Sequence, residues 1–299
     1  MKTLSALIKR NTKLFFKDKG MFFTSLITPM ILLVLYATFL CNVYRDSFTA
    51  ALPAGMKMAE ELINGCVGGQ LISSILAVSC VTVSFCSNML MVQDKANGRI
   101  KDLAISPVRG STLALGYYLS TLICTLSICL TATAVCLCYV WYVGWYMSVA
   151  DVLLLILDVL LLTMFGTALS SVINFFLSTQ GQISAVGSIV SSVYGFICGA
   201  YMPISQFSEG LQKAISLLPG TYGTSLVRNH ALQGVFAEME TQGYPAEFIE
   251  GMRDVVDCNI YFFDNKVGIP YMYAYLCGTV ILLVGAYVVM NIVKNKDTK

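Results

Sequence analysis

The sequence is poor in charge. Only 12% of its 299 residues are Asp, Glu, Lys or Arg, while 57% are apolar and the mean hydropathy is +0.72. A soluble domain carries about a quarter charged residues, so a water-soluble globular protein is excluded. Histidine occurs once, as His230 beside Arg228 and Asn229. One imidazole with no Cys or Asp constellation offers neither a metal centre nor a catalytic base, and His230 is expected to be an interfacial polar residue. No GxxxxGK[ST] run occurs, so this chain cannot cradle ATP itself. No cysteine pair has zinc spacing. Of the eleven cysteines, eight (Cys80, Cys86, Cys124, Cys129, Cys136, Cys138, Cys198 and Cys277) lie inside apolar runs, where the thiol acts as a small hydrophobe. Cys41, Cys66 and Cys258 fall outside, which leaves a Cys41–Cys66 disulfide open. The first eighteen residues are basic and amphipathic, without the short apolar core of a cleavable signal.

What the chain has in quantity is long apolar runs, each of a length that spans a ~30 Å hydrocarbon core. Six spans are read: about 22–40, 71–92, 113–143, 149–177, 183–201 and 271–293. The third and fourth exceed what the membrane requires and are expected to tilt or protrude. An even number places both termini on one side. The N-terminus, the island 93–112, the turn 178–182 and the C-terminal tail together hold thirteen Lys/Arg against four Asp/Glu, whereas the opposite segments hold six against eleven. The positive-inside rule then puts both termini in the cytoplasm of a cell-membrane protein. A net charge of +2 built from residues at segment ends is a topology signal and implies no nucleic-acid partner.

Ahead of the first span, residues 3–19 read as an interfacial helix. Leu4, Leu7, Ile8, Leu14 and Phe15 share one face, and Lys9, Lys13 and Lys17 share the opposite face with Arg10. On the far side, 202–270 forms the largest extramembrane region. Its stretch PISQFSEGLQKAISLL has apolar residues at helical spacing (Phe207, Leu211, Ala214, Ile215, Leu218) between Pro203 and Pro219, too short and polar to span, which fits a re-entrant or interfacial helix. Residues 238–266, with seven acids and two bases, read as a solvated cap, with a selective substrate gate as the alternative.

Two intramembrane features carry chemistry. Asp158 lies seven residues after Asp151 on the same helical face, roughly 10 Å into the fourth span. A carboxylate there faces protein or a watery cavity, as a proton or cation site or as a buried structural acid. The fifth span repeats small residues at Gly187, Ser191, Gly195 and Gly199, with Ser188 and Ser192 alongside. That stripe allows close helix packing, or lines a greasy-ligand path with Tyr194, Phe196 and, from span two, Ser84.

The order of these segments resembles the membrane subunit of ABC-type exporters of the type-2 permease family, whose relatives include the G-subfamily lipid and drug exporters. The resemblance covers essentially the whole chain. It is carried by the amphipathic N-terminal helix, by QDKANGRIKDLAISPVRGSTLALGYYLS, with Asp94, Gly98, Leu103 and Ser106-Pro107 at the family positions, and by Gly199, Pro203 and Leu218-Pro219 at the outer mouth. Where the family usually places a Glu before the loop Gly, this chain runs Gln93-Asp94-Lys95-Ala96-Asn97-Gly98. The resemblance implies an all-α, single permease domain over 1–299, with six transmembrane helices, an N-terminal connecting helix over 1–20, a cytosolic coupling helix over 93–108 and re-entrant outer helices over 202–270. It implies that Asp94, Gly98, Arg99, Lys101, Leu103, Ser106 and Pro107, with Lys9, Lys13 and Lys17, engage a separate ATP-binding subunit. Two such subunits would bind ATP and Mg, and this chain would pair with a second permease, identical or similar. Export of a hydrophobic or amphiphilic drug, antibiotic, peptide or lipid between spans two and five is the expected activity. The alternatives are polysaccharide or glycolipid export, and a proton-coupled secondary transporter working through Asp158.

Overall fold

A computed structural model describes residues 2–50, 58–100, 108–263 and 265–297. Twelve α-helices are seen among them. α1 (Lys2–Lys17) is followed by α2 (Lys19–Leu35), a π-helical turn (Tyr36–Leu40) and α3 (Cys41–Ala50), then α4 (Glu60–Ser87) and α5 (Met89–Ala96). Next come α6 (Gly110–Val143), α7 (Val149–Phe176) and α8 (Gln180–Ile197). After a short 3-10 turn (Ile204–Gln206) follow α9 (Glu209–Ile215), α10 (Pro219–Thr241) and α11 (Ala246–Val255). A two-residue hairpin, β1 (Tyr261–Phe262) with β2 (Asn265–Lys266), leads to α12 (Ile269–Asp297). The fold is all-α apart from that hairpin.

Among the described residues, five helical runs are long and apolar enough to cross a membrane: Lys19–Asp46, Glu60–Ala96, Gly110–Val143, Val149–Phe176 and Ile269–Lys294. The expected fifth span falls on α8, eighteen residues that are not among the five. The span expected to begin at residue 71 begins at Glu60 instead. Gly65, Gly68, Gly69 and Gln70 interrupt the hydropathy but stay helical because they are buried against neighbours.

α4 is the axis of the bundle. Nearly every side chain from Leu62 to Phe85 is buried, and α2, α6, α7, α8 and α10 all pack against it. Lipid tails are as apolar as leucine, so close packing and interhelical hydrogen bonds must hold such helices together. The α4–α7 crossing shows how. A Cβ on Gly166 would stand 2.9 Å from the Cys80 carbonyl oxygen and 2.9 Å from Ser84 Oγ, so only glycine permits this approach. Local signals set the helix starts. Ser148 and Asp151 form a capping box at α7, and Thr179 with Gln182 forms another at α8.

The region before α12 departs from expectation. The predicted helix over 207–218 is reduced to the seven residues of α9, and the long buried helix lies downstream. Pro219 does not end a helix but occupies the first turn of α10, where its missing N–H costs nothing. Gly220 meets Tyr194 of α8, Gly223 meets Leu162 of α7, and Gly234 abuts the Tyr146 carbonyl in the loop joining α6 to α7. α10 therefore starts deep in the bundle and climbs to its far end as a re-entrant element. The cysteines are all free, Cys41 and Cys66 included, which removes the disulfide between them.

Candidate functional site

The end of the bundle that carries α1 also carries the end of α12. Lys95 and Lys294 both lie over the ring of Phe175, at 5.4 and 5.0 Å. α1 rests on the first turns of α6, burying Leu7, Asn11 and Phe15 at i, i+4 and i+8. Asn11 Nδ2 donates to Ser120 Oγ at 3.3 Å. This polar member of the buried face is what apolar periodicity alone passed over.

The preceding residue, Arg10, reaches Asp94 near the end of α5. Asp94 is wholly buried, and its Oδ2 accepts from Arg10 Nη1 and from Tyr117 Oη, both at 2.8 Å. Its Oδ1 lies 3.4 Å from Arg99 Nη1. One carboxylate thus gathers α1, α5, the chain beyond α5 and α6. Lys95 points the other way, donating to the carbonyls of Asn174, Phe175 and Leu177 at 2.8, 2.7 and 3.0 Å. A cation there answers the carbonyls and the negative dipole at the end of α7, where only the Asn174 carbonyl also accepts from a backbone N–H, that of Leu177. Lys95→Met should cost about 1–3 kcal/mol by removing the donor that the Phe175 and Leu177 carbonyls use. The expected result is a lower Tm with normal membrane insertion; an unchanged Tm would mean that water replaces the ammonium.

A ladder of polar contacts continues from this node along α4 toward the middle of the bundle. Asn88 Nδ2 donates to Ser170 and Ser171 Oγ, each at 3.1 Å, and Ser84 Oγ lies 3.3 Å from Thr167 Oγ1.

Against the expected docking surface, the residues divide. Asp94, expected at that surface, is turned inward, and with Lys95 it fixes the island to the bundle. Lys9, Lys13, Lys17 and Arg99 are exposed. Gly98 has φ +76°, a left-handed position following the end of α5 where a side chain would be strained. Lys101, Leu103, Ser106 and Pro107 lie outside the described residues.

A groove of about 450 Å³ opens between α2, α4 and α8, lined by residues including Thr24, Phe85, Ile183, Ser188, Ser191 and Ser192. The rest of the expected path lies elsewhere. Ser84 is buried against α7, and Tyr194 and Gly195 face inward, with Tyr201 pressed onto Gly195. Phe196 is half exposed and makes an edge contact with Tyr201.

Asp158 is not isolated. Its Oδ2 lies 2.5 Å from His230 Nδ1 and its Oδ1 accepts from Tyr273 Oη at 2.5 Å. The expectation of an interfacial His230 is overturned: α10 carries it into the bundle, where it is buried. Sequence reasoning missed this pair because the helix was placed upstream of Pro219. The Arg228-Asn229-His230 triplet, in a helix otherwise made of small and apolar residues on its buried face, was the available signal.

A bundle of membrane-length helices, with a basic surface helix docked at the end that holds the chain termini, defines a multi-pass membrane protein. The sequence model of the ABC-2 type transporter family matches residues 2–231, and the chain belongs to that family. It is a transmembrane subunit of an ABC-2 type transporter, a permease component without the ATPase site, in a family that works with an ABC ATP-binding subunit. No curated protein matches the chain.

Proposed function

We propose that the chain is the permease half of an ATP-driven exporter, with both termini in the cytoplasm of the cell membrane. Two permease copies, or this chain and a similar one, meet across the α2–α4–α8 groove, and two ATP-binding subunits sit beneath them. The observation that carries this reading is the groove itself. It sets Ser188, Ser191 and Ser192 along the same wall as the apolar Ile27, Phe85, Met89 and Ile183, an amphiphilic lining. A hydrophobic or amphiphilic cargo such as a drug, antibiotic, peptide or lipid fits such a wall. The exposed Lys9, Lys13, Lys17 and Arg99 supply a positive face for the ATPase, and the Asp94 node transmits its motion to α4 through α1 and α5.

The test uses the permease–ATPase complex in liposomes. Ser191→Trp fills the groove and should lower export at least about tenfold while assembly with the ATPase persists. The permease alone should hydrolyse no ATP. Hydrolysis by the isolated chain, or full export by the Trp variant, would end the proposal. The proton-coupled alternative is weakened by the chain's family and by the two partners that already engage Asp158.

A further inference from the structure

Arg228 lies on α10 and is fully buried, a costly position for a cation inside a helical bundle. Its Nη2 donates to the Gly199 carbonyl at 2.8 Å and its Nη1 to Asp257 Oδ2 at 3.2 Å. Asp257 belongs to the segment after α11, which closes the end of the bundle away from the termini. Its two oxygens each accept from Ile204 N–H at 3.1 Å. The turn that ends α8 (Gly199), the chain that leaves it (Ile204), the closing segment (Asp257) and the re-entrant helix thus meet at one ion pair. Ser225 and Asn229, three residues before and one after Arg228, fasten the neighbouring Cys258 carbonyl at 2.7 and 2.6 Å.

Several features make this fastening conditional instead of permanent. Arg228 Nε is buried without a hydrogen-bond partner. Asp257 is one of two described non-glycine residues with positive φ, at +52°, a strained backbone conformation. Gly199 has φ +74°, and a Cβ there would press against Asp257 and Ile204 at 3.0 Å. Burial pushes the Asp257 carboxyl up to about 6 despite the adjacent guanidinium, so the ionised pair works against its own desolvation. Beside it lies a cavity of about 730 Å³, bounded by Ile204, Gln212, Thr221, Asp257 and Phe263, which gives the closing segment room to move.

We infer that the Arg228–Asp257 pair is the latch of an outer gate: made, it clamps the end of α8 under the closing segment, and it must part for the groove to open outward. The inference rests on the proposed ATP-driven exporter, in which α8 borders the transport path. Cys258 is a native reporter, since it is buried and held by the same face of α10.

The experiment labels the full permease–ATPase complex with a membrane-impermeant maleimide and reads Cys258 by peptide mass spectrometry. Cys258 should react slowly at rest and at least about tenfold faster after trapping with ATP and vanadate. Asp257→Asn, which keeps an acceptor for Ile204 but loses the charge, should accelerate labelling without nucleotide, and Arg228→Lys should do so less. Continued protection of Cys258 in the trapped wild-type complex, with ATPase activity fully inhibited by vanadate, overturns the latch and leaves the exporter reading intact. Absence of vanadate-sensitive hydrolysis counts against the exporter reading. The Asp257→Asn arm then decides the latch alone, and unchanged labelling there refutes it.

Discussion

Asp94→Ala is expected to uncouple the permease from its ATPase and to remove about 3 kcal/mol of stability. Taking one partner from a buried charge pair typically costs about 3–5 kcal/mol, because the other charge is left without compensation. Here the value falls toward the lower limit. The Arg10 side chain keeps 32% of its exposure and can turn to water, whereas the phenol of buried Tyr117 cannot. The loss should appear as a lower Tm and as protease sensitivity of α1, which Asp94 holds through Arg10. Export should fall by more than about tenfold while insertion of the spans is unaffected, since no membrane-crossing segment loses its apolar face. Arg10→Lys offers a graded control: the charge survives, and since Asp94 and Asn11 both accept from the single Nη1, an ammonium can serve both, so the loss should be well below that of Asp94→Ala. If Asp94→Ala leaves α1 protected and export normal, the node is packing without a role in transmission.

How much of this was legible in the sequence follows from what each signal measures. Hydropathy and charge marked the membrane runs to within a few residues wherever a run meets lipid, as in α6 and α7. They failed at α4, where Gly65 to Gln70 look like a break and are instead a helix buried on all sides. A property of the surroundings, not of the residues, decides that case. The basic face of α1 was visible because Lys9, Lys13 and Lys17 fall at i, i+4 and i+8, and solvent leaves that spacing intact. Its role as a clamp was not, because Arg10 is distinguished from the lysines only by Asp94, eighty-four positions away. Pro219 misled for a related reason: proline terminates a helix or begins one, and only packing of Gly220 and Gly223 against α8 and α7 selects the second. Once α10 was misplaced, the pairs Asp158–His230 and Arg228–Asp257 were both out of reach.

Asp158→Asn and Asp158→Ala are expected to part company, and the difference identifies what the buried acid does. The carboxylate serves His230 and Tyr273 at once, from α10 and α12, and it is the bond by which α7 holds the re-entrant helix at that depth. An asparagine can serve both as well. Its oxygen accepts from the Tyr273 hydroxyl, and its amide donates to a His230 ring nitrogen that presents a lone pair in the other tautomer. Alanine serves neither: buried His230 loses a partner at about 1–3 kcal/mol, and half-buried Tyr273 loses one at the low end of that range. The Ala variant should therefore lose about 2–4 kcal/mol, the Asn variant well under half of that, and export should follow stability. In a double-mutant cycle, His230→Ala combined with Asp158→Ala should cost less than the sum of the two, with a coupling of about 1–3 kcal/mol, because the first change already removes the contact. A proton carrier behaves otherwise. If Asp158 must take up and release a proton, the Asn variant assembles and melts like the wild type yet transports nothing, because shape is preserved and the exchangeable proton is gone. Tm and export measured on the same Asn preparation thus separate a structural acid from a transporting one.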